Sequence, residues 1–389
     1  MCLLLLLLMG AQESKGLSPP FESRPLVCVC GSTNVDLIVS QGPRFPKKGE
    51  TIAFKAFEQC FGGKGANQAV QAALAGARTE MVAKVGSDDF GEQMVSNLRG
   101  RGVGANGVTR AKDVPSGCAL ITVAENTNTI VIVPGANGAL CSKDIDKNLL
   151  GKASVLLLQL EVPDEANLAA LQSAPDALKI LNTAPTTGTV NVDLLKEADV
   201  ICANEVELSL LCDDMPCDDI TQSIAAARYL LSCLPEKKII LATLGATGSL
   251  VVYDNRDSSS FKEEEKVPLE NNFPAIFVAA ERHVPVVDTT GAGDSFLGAF
   301  AAFIASGQPF ISAVRDASKV AALSIQKPST QPSYPTVDDL IRHYPSVFAK
   351  KEDDSLLHKL PDLDFPDDNN NNVFALSPDG TTLLPFVAD

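Results

Sequence analysis

The chain has 389 residues, enough for one large domain or two of ordinary size. With 45% hydrophobic and 21% charged residues, it has the composition of a packed globular protein rather than a disordered one. A formal net charge of −16 disfavours nucleic acid as a partner, because such a surface repels a phosphate backbone.

The cysteine content and the leucine run near the N-terminus bear on where the protein is located. Ten cysteines form no C-x-x-C pair and the three histidines stand at no ligand spacing, so we expect no zinc site. Unpaired cysteines indicate a reducing compartment, and we predict a cytoplasmic protein. The run from Leu3 to Leu8 is too short to span a bilayer, so no membrane partner is expected. We interpret residues 1–24 as a disordered leader, with a targeting segment as the alternative.

Short apolar runs alternate with helix-like stretches between residues 25 and 345. The predicted strands are residues 26–30, 81–85, 155–160, 178–181, 200–202, 239–242 and 284–287. The predicted helices are residues 66–75, 92–99, 164–172, 192–197, 221–232 and 295–304. This alternation predicts an α/β domain with a mostly parallel central sheet covered on both faces. Ligands in such folds bind outside the carboxyl ends of the strands.

Two segments interrupt the alternation, because strand-like runs occur at residues 50–57 and 116–133 without helices between them. We predict that lid segments of about residues 40–60 and 114–136 form a small antiparallel sheet over the edge of the main sheet. The outer face of this lid is partly apolar, and a homodimer would cover it.

The C-terminal composition differs from the rest. Residues 350–389 contain nine acidic and three basic residues, an asparagine run and several prolines. We therefore predict that residues 346–389 form an acidic, disordered tail.

The most informative motif is DTTGAGD at residues 288–294, between the predicted strand at 284–287 and an apolar helix. Small residues at 291–293 let backbone N–H groups converge at a helix start, where the helix dipole attracts an anion such as phosphate. Asp294 follows as an acceptor for a hydroxyl proton. An anion hole beside a carboxylate base is what phosphoryl transfer to an alcohol requires, although a purely structural helix start is the alternative.

Two motifs follow the first strand. In GSTNVD at residues 31–36, Asn34 and Asp36 lie two apart, so both side chains point the same way if the segment is extended. An amide beside a carboxylate suits vicinal hydroxyls of a ligand. A local Asx-turn is the alternative. In FGGKGANQ at residues 61–68, the glycines permit close backbone approach, and Lys64 and Asn67 would hold sugar hydroxyls. A bare helix-start turn is the alternative there.

Three further positions lie where strands end. Glu161 follows a strongly apolar strand, at the rim where ligands bind, with a cap for the helix after Pro163 as the alternative. Asn204 and Glu207 follow another, where acids suit magnesium held through water and a helix N-cap is the alternative. The glycines and hydroxyls of residues 243–248 would wrap nucleotide phosphates, with a plain β-turn as the alternative.

These motifs occur together in the order found in a known family. Over residues 25–345 the chain resembles the ribokinase-like family of sugar and nucleoside kinases. The resemblance implies a three-layer α/β sandwich with a mostly parallel central sheet and a small β-sheet lid. It also implies ATP-dependent phosphorylation of D-ribose at O5, with Mg²⁺ and an activating K⁺.

The resemblance assigns roles residue by residue. Asp294 would be the catalytic base, with Gly291, Ala292 and Gly293 as the anion hole. The sugar would be held by Asn34, Asp36, Gly63, Lys64, Asn67, Glu161 and Asp294. The nucleotide would contact Asn204, Thr243, Gly245, Gly248, Gly293 and Ser318. Glu207 would organise Mg²⁺ through water, and K⁺ would lie at Asp288, Thr290, Ser324, Lys327, Ser329 and Ser333.

One segment departs from the family pattern, because Pro328 and Ser329 stand where the family usually has a Lys-Gly or similar pair. Alternative functions are a related kinase for deoxyribose, fructose or a nucleoside, a catalytically silent sugar-binding protein, and an interaction protein acting through its tail.

Overall fold

The computed structural model describes residues 24–125, 127–186, 189–235, 237–254 and 273–348, together with two strands at 373–376 and 383–385. Residues 1–23 of the predicted leader and most of the predicted tail lie outside the described residues. Within the described ranges, no helix combines the length and apolar character needed to cross a bilayer.

Fifteen strands are present in the described ranges, and most predicted strands are found within one to three residues of their expected ends. They are β1 (Leu26–Cys30), β2 (Asn34–Ser40), β3 (Ala56–Gly62), β4 (Arg78–Gly86), β5 (Val103–Ala111), β6 (Cys118–Ala124), β7 (Thr127–Val133), β8 (Ala153–Leu158), β9 (Leu178–Asn182), β10 (Val200–Asn204), β11 (Ile239–Thr243), β12 (Gly248–Tyr253), β13 (Ala275–Ala279), β14 (Val373–Leu376) and β15 (Leu383–Pro385).

The helices begin after capping side chains, glycines or, at Pro163 and Pro309, prolines, and occupy the connections between strands. They are α1 (Lys64–Leu74), α2 (Asp89–Gly100), α3 (Lys147–Leu150), α4 (Asp164–Ser173), α5 (Val192–Glu197), α6 (Glu205–Leu211), α7 (Ile220–Ser232), α8 (Ala292–Ala305), α9 (Phe310–Ser324) and α10 (Val337–His343). The predicted helix at 192–197 has its expected ends.

Eleven strands form the main sheet, in the order β15-β14-β13-β12-β11-β10-β9-β8-β1-β4-β5. The neighbours from β11 to β5 pair in parallel, as crossover helices require, whereas β12 to β15 are antiparallel additions at one edge. The predicted mostly parallel sheet is therefore confirmed.

Both faces of the sheet are covered. Val27 and Val29 of β1 belong to a core cluster with α1, α8 and α9, whereas Leu26, Cys28 and Cys30 belong to a second cluster with α3 to α7. Alternate residues of a strand point to opposite faces, so a fully apolar strand is buried between two helical layers. The three-layer arrangement follows from this pattern.

The lid is a four-stranded sheet in the order β3-β2-β6-β7. The prediction that it is antiparallel is wrong for one pair, because β2 and β6 run in parallel. The hairpins β2–β3 and β6–β7 are antiparallel, but a long stretch of chain through the main sheet separates β2 from β6. The strand predicted at 50–57 begins only at Ala56. Before it, the Lys47 N–H donates to the Glu50 carboxylate in a turn.

Residues 284–287 are not a strand, contrary to the prediction. Val286 and Val287 are 63% and 61% exposed, and the Val287 N–H donates to the carbonyl of Ile325 at 2.8 Å, at the end of α9. An apolar run alone does not distinguish a buried strand from a loop pinned to a helix end.

Two segments of the predicted tail form strands. Strand β14 pairs with β13, and β15 pairs with β14, so this prediction is wrong for these two segments. A strand edge offers unpaired N–H and C=O groups, and short apolar segments of the tail satisfy them. The domain also extends past residue 345, because Val347 in the 3₁₀ turn Pro345–Phe348 is buried.

Candidate active site

A cleft opens at the carboxyl ends of β9, β10 and β11 and faces the start of α8. This is the edge of the sheet where ligands of open parallel sheets are expected to bind. The lining residues come from these strand ends, α1, α6 and α8, and are Lys64, Asn182, Ala184, Cys202, Ala203, Asn204, Glu207, Thr243, Thr289, Gly291, Ala292, Gly293, Asp294 and Leu297.

The start of α8 has the features of an anion-binding site. Gly291 caps the helix with φ of 74°, a left-handed conformation that disfavours other residues, and the Tyr334 hydroxyl donates to its carbonyl at 3.0 Å. Around Gly293 there is open space, since no atom would lie within 4 Å of an added Cβ. The Ala292 N–H donates to the Thr289 carbonyl at 3.2 Å. The other N–H groups of this first turn, together with the helix dipole, favour a bound phosphate.

Asp294 lies in the first turn of α8 and is only 8% exposed. Both of its oxygens are engaged: Oδ2 accepts from Asn67 Nδ2 at 3.0 Å, and Oδ1 accepts from Gln68 Nε2 at 2.9 Å. Both donors belong to α1, so one helix fixes the orientation of the carboxylate. Each oxygen retains a further lone pair for a hydroxyl proton.

Lys64 opens α1 and faces three carboxylates across the cleft. Burial alone would lower the pKa of this ammonium, but attraction to Asp294, Glu161 and Glu207 outweighs it and raises the pKa above its usual value. The carboxylate of Glu161 accepts the Lys64 N–H at 2.8 Å and a hydrogen bond from the Ser32 hydroxyl. The structure thus brings together Lys64, Glu161 and Asp294, as predicted.

Asn34 and Asp36 begin β2, close to this group. Burial, reinforced by the charge of Glu161, raises the pKa of Asp36 to about 6. The Asn34 side-chain oxygen accepts from Asn137 Nδ2 at 2.8 Å, a partner that sequence reasoning missed. A Cβ added at Gly63, the cap of α1, would lie 3.0 Å from the Asn34 nitrogen, so this turn packs closely against the start of β2. The extended conformation expected for this segment is confirmed.

The raised pKa of Asp36 makes stability depend on pH. Because the folded protein binds this proton more tightly than the unfolded chain, the contribution is fully present below about pH 4 and is lost as pH rises through about 6. We expect Asp36→Asn to raise the thermal unfolding midpoint relative to wild type at pH 8 and to lose most of this advantage at pH 4.5. The exposed Asp113→Asn is the matched control. An advantage of Asp36→Asn that is constant with pH would contradict the assignment.

Asn204 and Glu207 form a reciprocal cap at the start of α6. The Glu207 N–H donates to Asn204 Oδ1 at 2.8 Å, and the Asn204 N–H donates to Glu207 Oε2 at 2.9 Å. The alternative interpretation as a helix cap is therefore confirmed, and both residues also line the cleft. Burial is the main cause of a raised pKa at Glu207.

Of the other predicted nucleotide contacts, only Thr243 lines the cleft. Gly245 and Gly248 lie in the turn between β11 and β12, closed by a Leu244 N–H that donates to the Gly248 carbonyl at 2.8 Å. Ser318 lies within α9 and donates to the Val314 carbonyl of the same helix at 3.1 Å. Gly245, Gly248 and Ser318 therefore lie outside the lining of the cleft.

Of the residues predicted to bind K⁺, Asp288, Thr290 and Ser329 are joined by hydrogen bonds. Asp288 Oδ1 accepts from the N–H and hydroxyl of Thr290 at 2.9 and 2.6 Å, and Oδ2 accepts the Ser329 N–H at 2.8 Å. Burial opposes the charge, but these bonds lower the pKa of Asp288. The Ser324 and Ser333 hydroxyls donate to carbonyls of their own turns, and Lys327 is exposed. The oxygens of these hydroxyls keep lone pairs, and no acidic, histidine or cysteine cluster suited to a metal occurs in the described ranges.

The departure at Ser329 has a backbone consequence. Its φ is 73°, a conformation that favours glycine. We expect Ser329→Gly to increase the free energy of unfolding by about 0.5–1 kcal/mol, because relief of strain exceeds the entropy gained by the unfolded chain. Ser329→Ala, which keeps the strain and loses only the hydroxyl, is the matched control. Denaturant unfolding that ranks glycine at or below alanine would contradict this explanation.

Several buried amides near Asp294 were given no role by the sequence. Gln68 Nε2 also donates to Asn182 Oδ1 at 3.1 Å, and Gln159 Nε2 donates to Gln68 Oε1 at 2.6 Å. Gln331 Nε2 donates to Asn67 Oδ1 at 3.1 Å. A glutamine inside an apolar strand, as at Gln159, was the available signal, because a buried amide requires a partner.

Comparison with known proteins places this geometry in a family. Residues 24–337 match the pfkB family of carbohydrate kinases. The chain is 36% identical over 328 residues to the ribokinase of Mus musculus, covering 82% of this chain and 94% of that protein. It is 35% identical over 319 residues to the deoxyribokinase of Salmonella typhi, covering 80% and 96%.

The fold agrees with a solved structure. The ribokinase of Arabidopsis thaliana, solved with ribose and ATP, superposes with a TM-score of 0.71 at 31% identity, covering 82% of this chain and 98% of that one. The chain therefore belongs to the pfkB family of carbohydrate kinases. It is a kinase of the ribokinase-like group, that is, a phosphotransferase.

Proposed function

We propose that this protein transfers the γ-phosphoryl group of ATP to O5 of D-ribose. The observation that carries the proposal is Asp294, a buried carboxylate in the first turn of α8, one residue beyond the open space at Gly293. It combines an acceptor for the hydroxyl proton with N–H groups for the transferring phosphate. The ribokinases of mouse and Arabidopsis support ribose as the sugar.

In this mechanism the sugar is held by Asn34, Asp36, Gly63, Lys64, Asn67 and Glu161. Asp294 orients the O5 hydroxyl and takes its proton as the oxygen attacks phosphorus. The N–H groups of Gly291 and Gly293 stabilise charge on the transferring group, and the Ala292 N–H joins them by exchanging the Thr289 carbonyl for a phosphate oxygen. A loose transition state demands little of the base until late, so most of the acceleration comes from positioning and electrostatics.

The nucleotide side is proposed at Asn204, Thr243 and Gly293, with Gly245, Gly248 and Ser318 as weaker candidates because they lie outside the cleft lining. Glu207 suits a Mg²⁺ site, because its capping bond engages Oε2 and leaves Oε1 for a metal-bound water. Bound Mg²⁺ would neutralise phosphate charge. Lys64 adds a positive charge to the same cleft.

A K⁺ site is proposed where Asp288, Thr290 and Ser329 meet. The ionised Asp288 fits a monovalent cation nearby by charge, and the carbonyls of the segment from Ser324 to Ser333 are hard oxygen ligands. In this proposal the cation holds the turn that leads into Gly291.

The decisive experiment measures ADP release from Mg-ATP with D-ribose, in K⁺ and again in Na⁺. Ribose-dependent ADP release supports the kinase, and a higher rate in K⁺ supports the cation site. Equal rates in the two salts would remove the K⁺ proposal and leave the kinase. Binding of ribose without ADP release would favour a catalytically silent sugar-binding protein.

A second candidate is a deoxyribokinase, favoured by the 35% identity to the Salmonella enzyme. A site that hydrogen-bonds the 2-hydroxyl would reject deoxyribose strongly, so the two sugars are readily separated by kcat/KM. Fructose and adenosine complete the panel. A higher kcat/KM for any of these than for ribose would overturn our choice of substrate.

We also propose that the lid pairs two copies of the chain. Leu120, Ile130, Val131, Ile132 and Val133 on β6 and β7 are 41–61% exposed, an unusual density of apolar surface. Light scattering on wild type and on Ile132→Glu tests this. A monomeric wild type would contradict the proposal, and conversion of a dimer to a monomer by the variant would support it.

A further inference from the structure

A row of three amides leads from the partly exposed face of α2 to the proposed base. Asn97 Nδ2 donates to Gln331 Oε1 at 2.8 Å, Gln331 Nε2 donates to Asn67 Oδ1 at 3.1 Å, and Asn67 Nδ2 donates to Asp294 Oδ2 at 3.0 Å. We call these residues the amide relay. The three amides and Asp294 come from four separate elements: α2, the 3₁₀ turn Gln331–Ser333, α1 and α8.

The polarity of the relay follows from its carboxylate end. An ionised carboxylate only accepts hydrogen bonds, so Asn67 must present its NH₂ group to Asp294 and its oxygen to Gln331. Gln331 must then present its own NH₂ to Asn67 and its oxygen to Asn97. Each amide thus has one favourable orientation, and a single reversal leaves two oxygens facing each other.

The burial of these amides makes a reversed orientation costly. Asn67 is 5% exposed and Gln331 is 1% exposed, so water cannot compensate a reversed amide. Gln331 does not touch Asp294, yet the Asn67 amide that holds Oδ2 depends on it. The other oxygen is held separately by Gln68.

From this geometry, and given the proposed function, we infer that Gln331 is a positioning residue for Asp294, with Asn97 as the outer anchor. Gln331 fixes the Asn67 amide, and that amide fixes the plane of the carboxylate that receives the hydroxyl proton. A small rotation of a base away from its acceptor position is costly, because catalysis depends on the alignment of reacting atoms.

The first test compares Gln331→Glu with Gln331→Met. Glutamate only accepts, so it would draw the Asn67 NH₂ toward itself and turn the Asn67 oxygen toward Asp294. Methionine removes the polarity without reversing it. Turnover is corrected for the folded fraction, which circular dichroism measures. We expect kcat of Gln331→Glu to be at least tenfold below that of Gln331→Met. We expect KM for ATP of both variants to stay within twofold of wild type. Equal kcat values for the two variants would overturn the inference.

A second pair avoids a charge in the core. Asn97→Asp places an acceptor opposite Gln331 Oε1 at a half-buried position, and Ser96→Asp adds the same charge at the exposed neighbouring position. We expect Ser96→Asp to match wild type in kcat, in KM for ATP and in the unfolding midpoint. We expect Asn97→Asp to have a severalfold lower kcat, with KM for ATP and the unfolding midpoint close to those of Ser96→Asp. Equal turnover of the two variants would overturn the role of the relay while leaving the proposed function intact. A wild-type protein without turnover on any sugar would overturn both, because there would be no base to position.

Discussion

Replacement of Asp294 by asparagine is expected to lower kcat by about 10²- to 10⁴-fold, the usual contribution of a general base. Asparagine offers no acceptor for the hydroxyl proton. It also replaces one of two accepting oxygens by an NH₂ group, which would face the N–H donor of Asn67 or Gln68. The side chain keeps its volume, so we expect the fold and sugar affinity to change little.

The measurement is steady-state ADP release, with ribose binding followed by calorimetry on the same samples. Asp113→Asn, at an exposed loop position, is the matched control for loss of a negative charge. Near-normal turnover of Asp294→Asn would remove Asp294 as the base. Loss of ribose binding in parallel with kcat would instead assign it to substrate binding alone.

The largest effect on stability is expected at Gly298, where α8 crosses α1. A Cβ at this position would collide with the backbone carbonyl of Gln68 and would lie 2.9 Å from the Gln71 Cβ and 3.0 Å from the Ala72 nitrogen. Backbone atoms cannot move aside as a side-chain end can, so the two helices must separate. We expect Gly298→Ala to lower the free energy of unfolding by about 3 kcal/mol, at the upper end for overpacking.

Gly100→Ala is the matched control, since Gly100 is also helical and an added Cβ there meets nothing within 4 Å. That variant should be neutral or more stable by about 0.5–1 kcal/mol, because alanine favours the helix. Denaturant unfolding compares the two directly. Because Gln68 and Asn67 of α1 hold Asp294, we also expect Gly298→Ala to lower kcat. Equal stability of the two variants would show that the helices do not rely on this contact.

The sequence was sufficient for the fold class and for much of the proposed site. Continuous apolar strands such as β1 and β8 are diagnostic because only a sheet buried on both faces tolerates them. Glycines next to polar residues, as at 61–68 and 288–294, mark turns at strand and helix ends, where parallel sheets bind ligands. Thus Lys64, Glu161 and Asp294 were predicted together, and the structure brings them together.

Local pattern failed where pairing partners are distant in sequence. The parallel pairing of β2 with β6 and the addition of β14 and β15 to the sheet edge depend on which strand edges remain open after the chain has folded. Likewise, Val286 and Val287 resemble a strand, but their backbone meets the end of α9. Apolar periodicity records burial tendency and contains no information about such partners.

The sequence by itself determined local conformation at the site, because a glycine turn followed by an apolar helix places Lys64 and Asp294 in the first turns of α1 and α8. Only the tertiary structure decided how the carboxylate is held. Asn97, Asn67 and Gln331 are ordinary polar residues of α2, α1 and a 3₁₀ turn, with nothing in their spacing to connect them. Their significance arises from burial, which removes water and makes the direction of each amide matter.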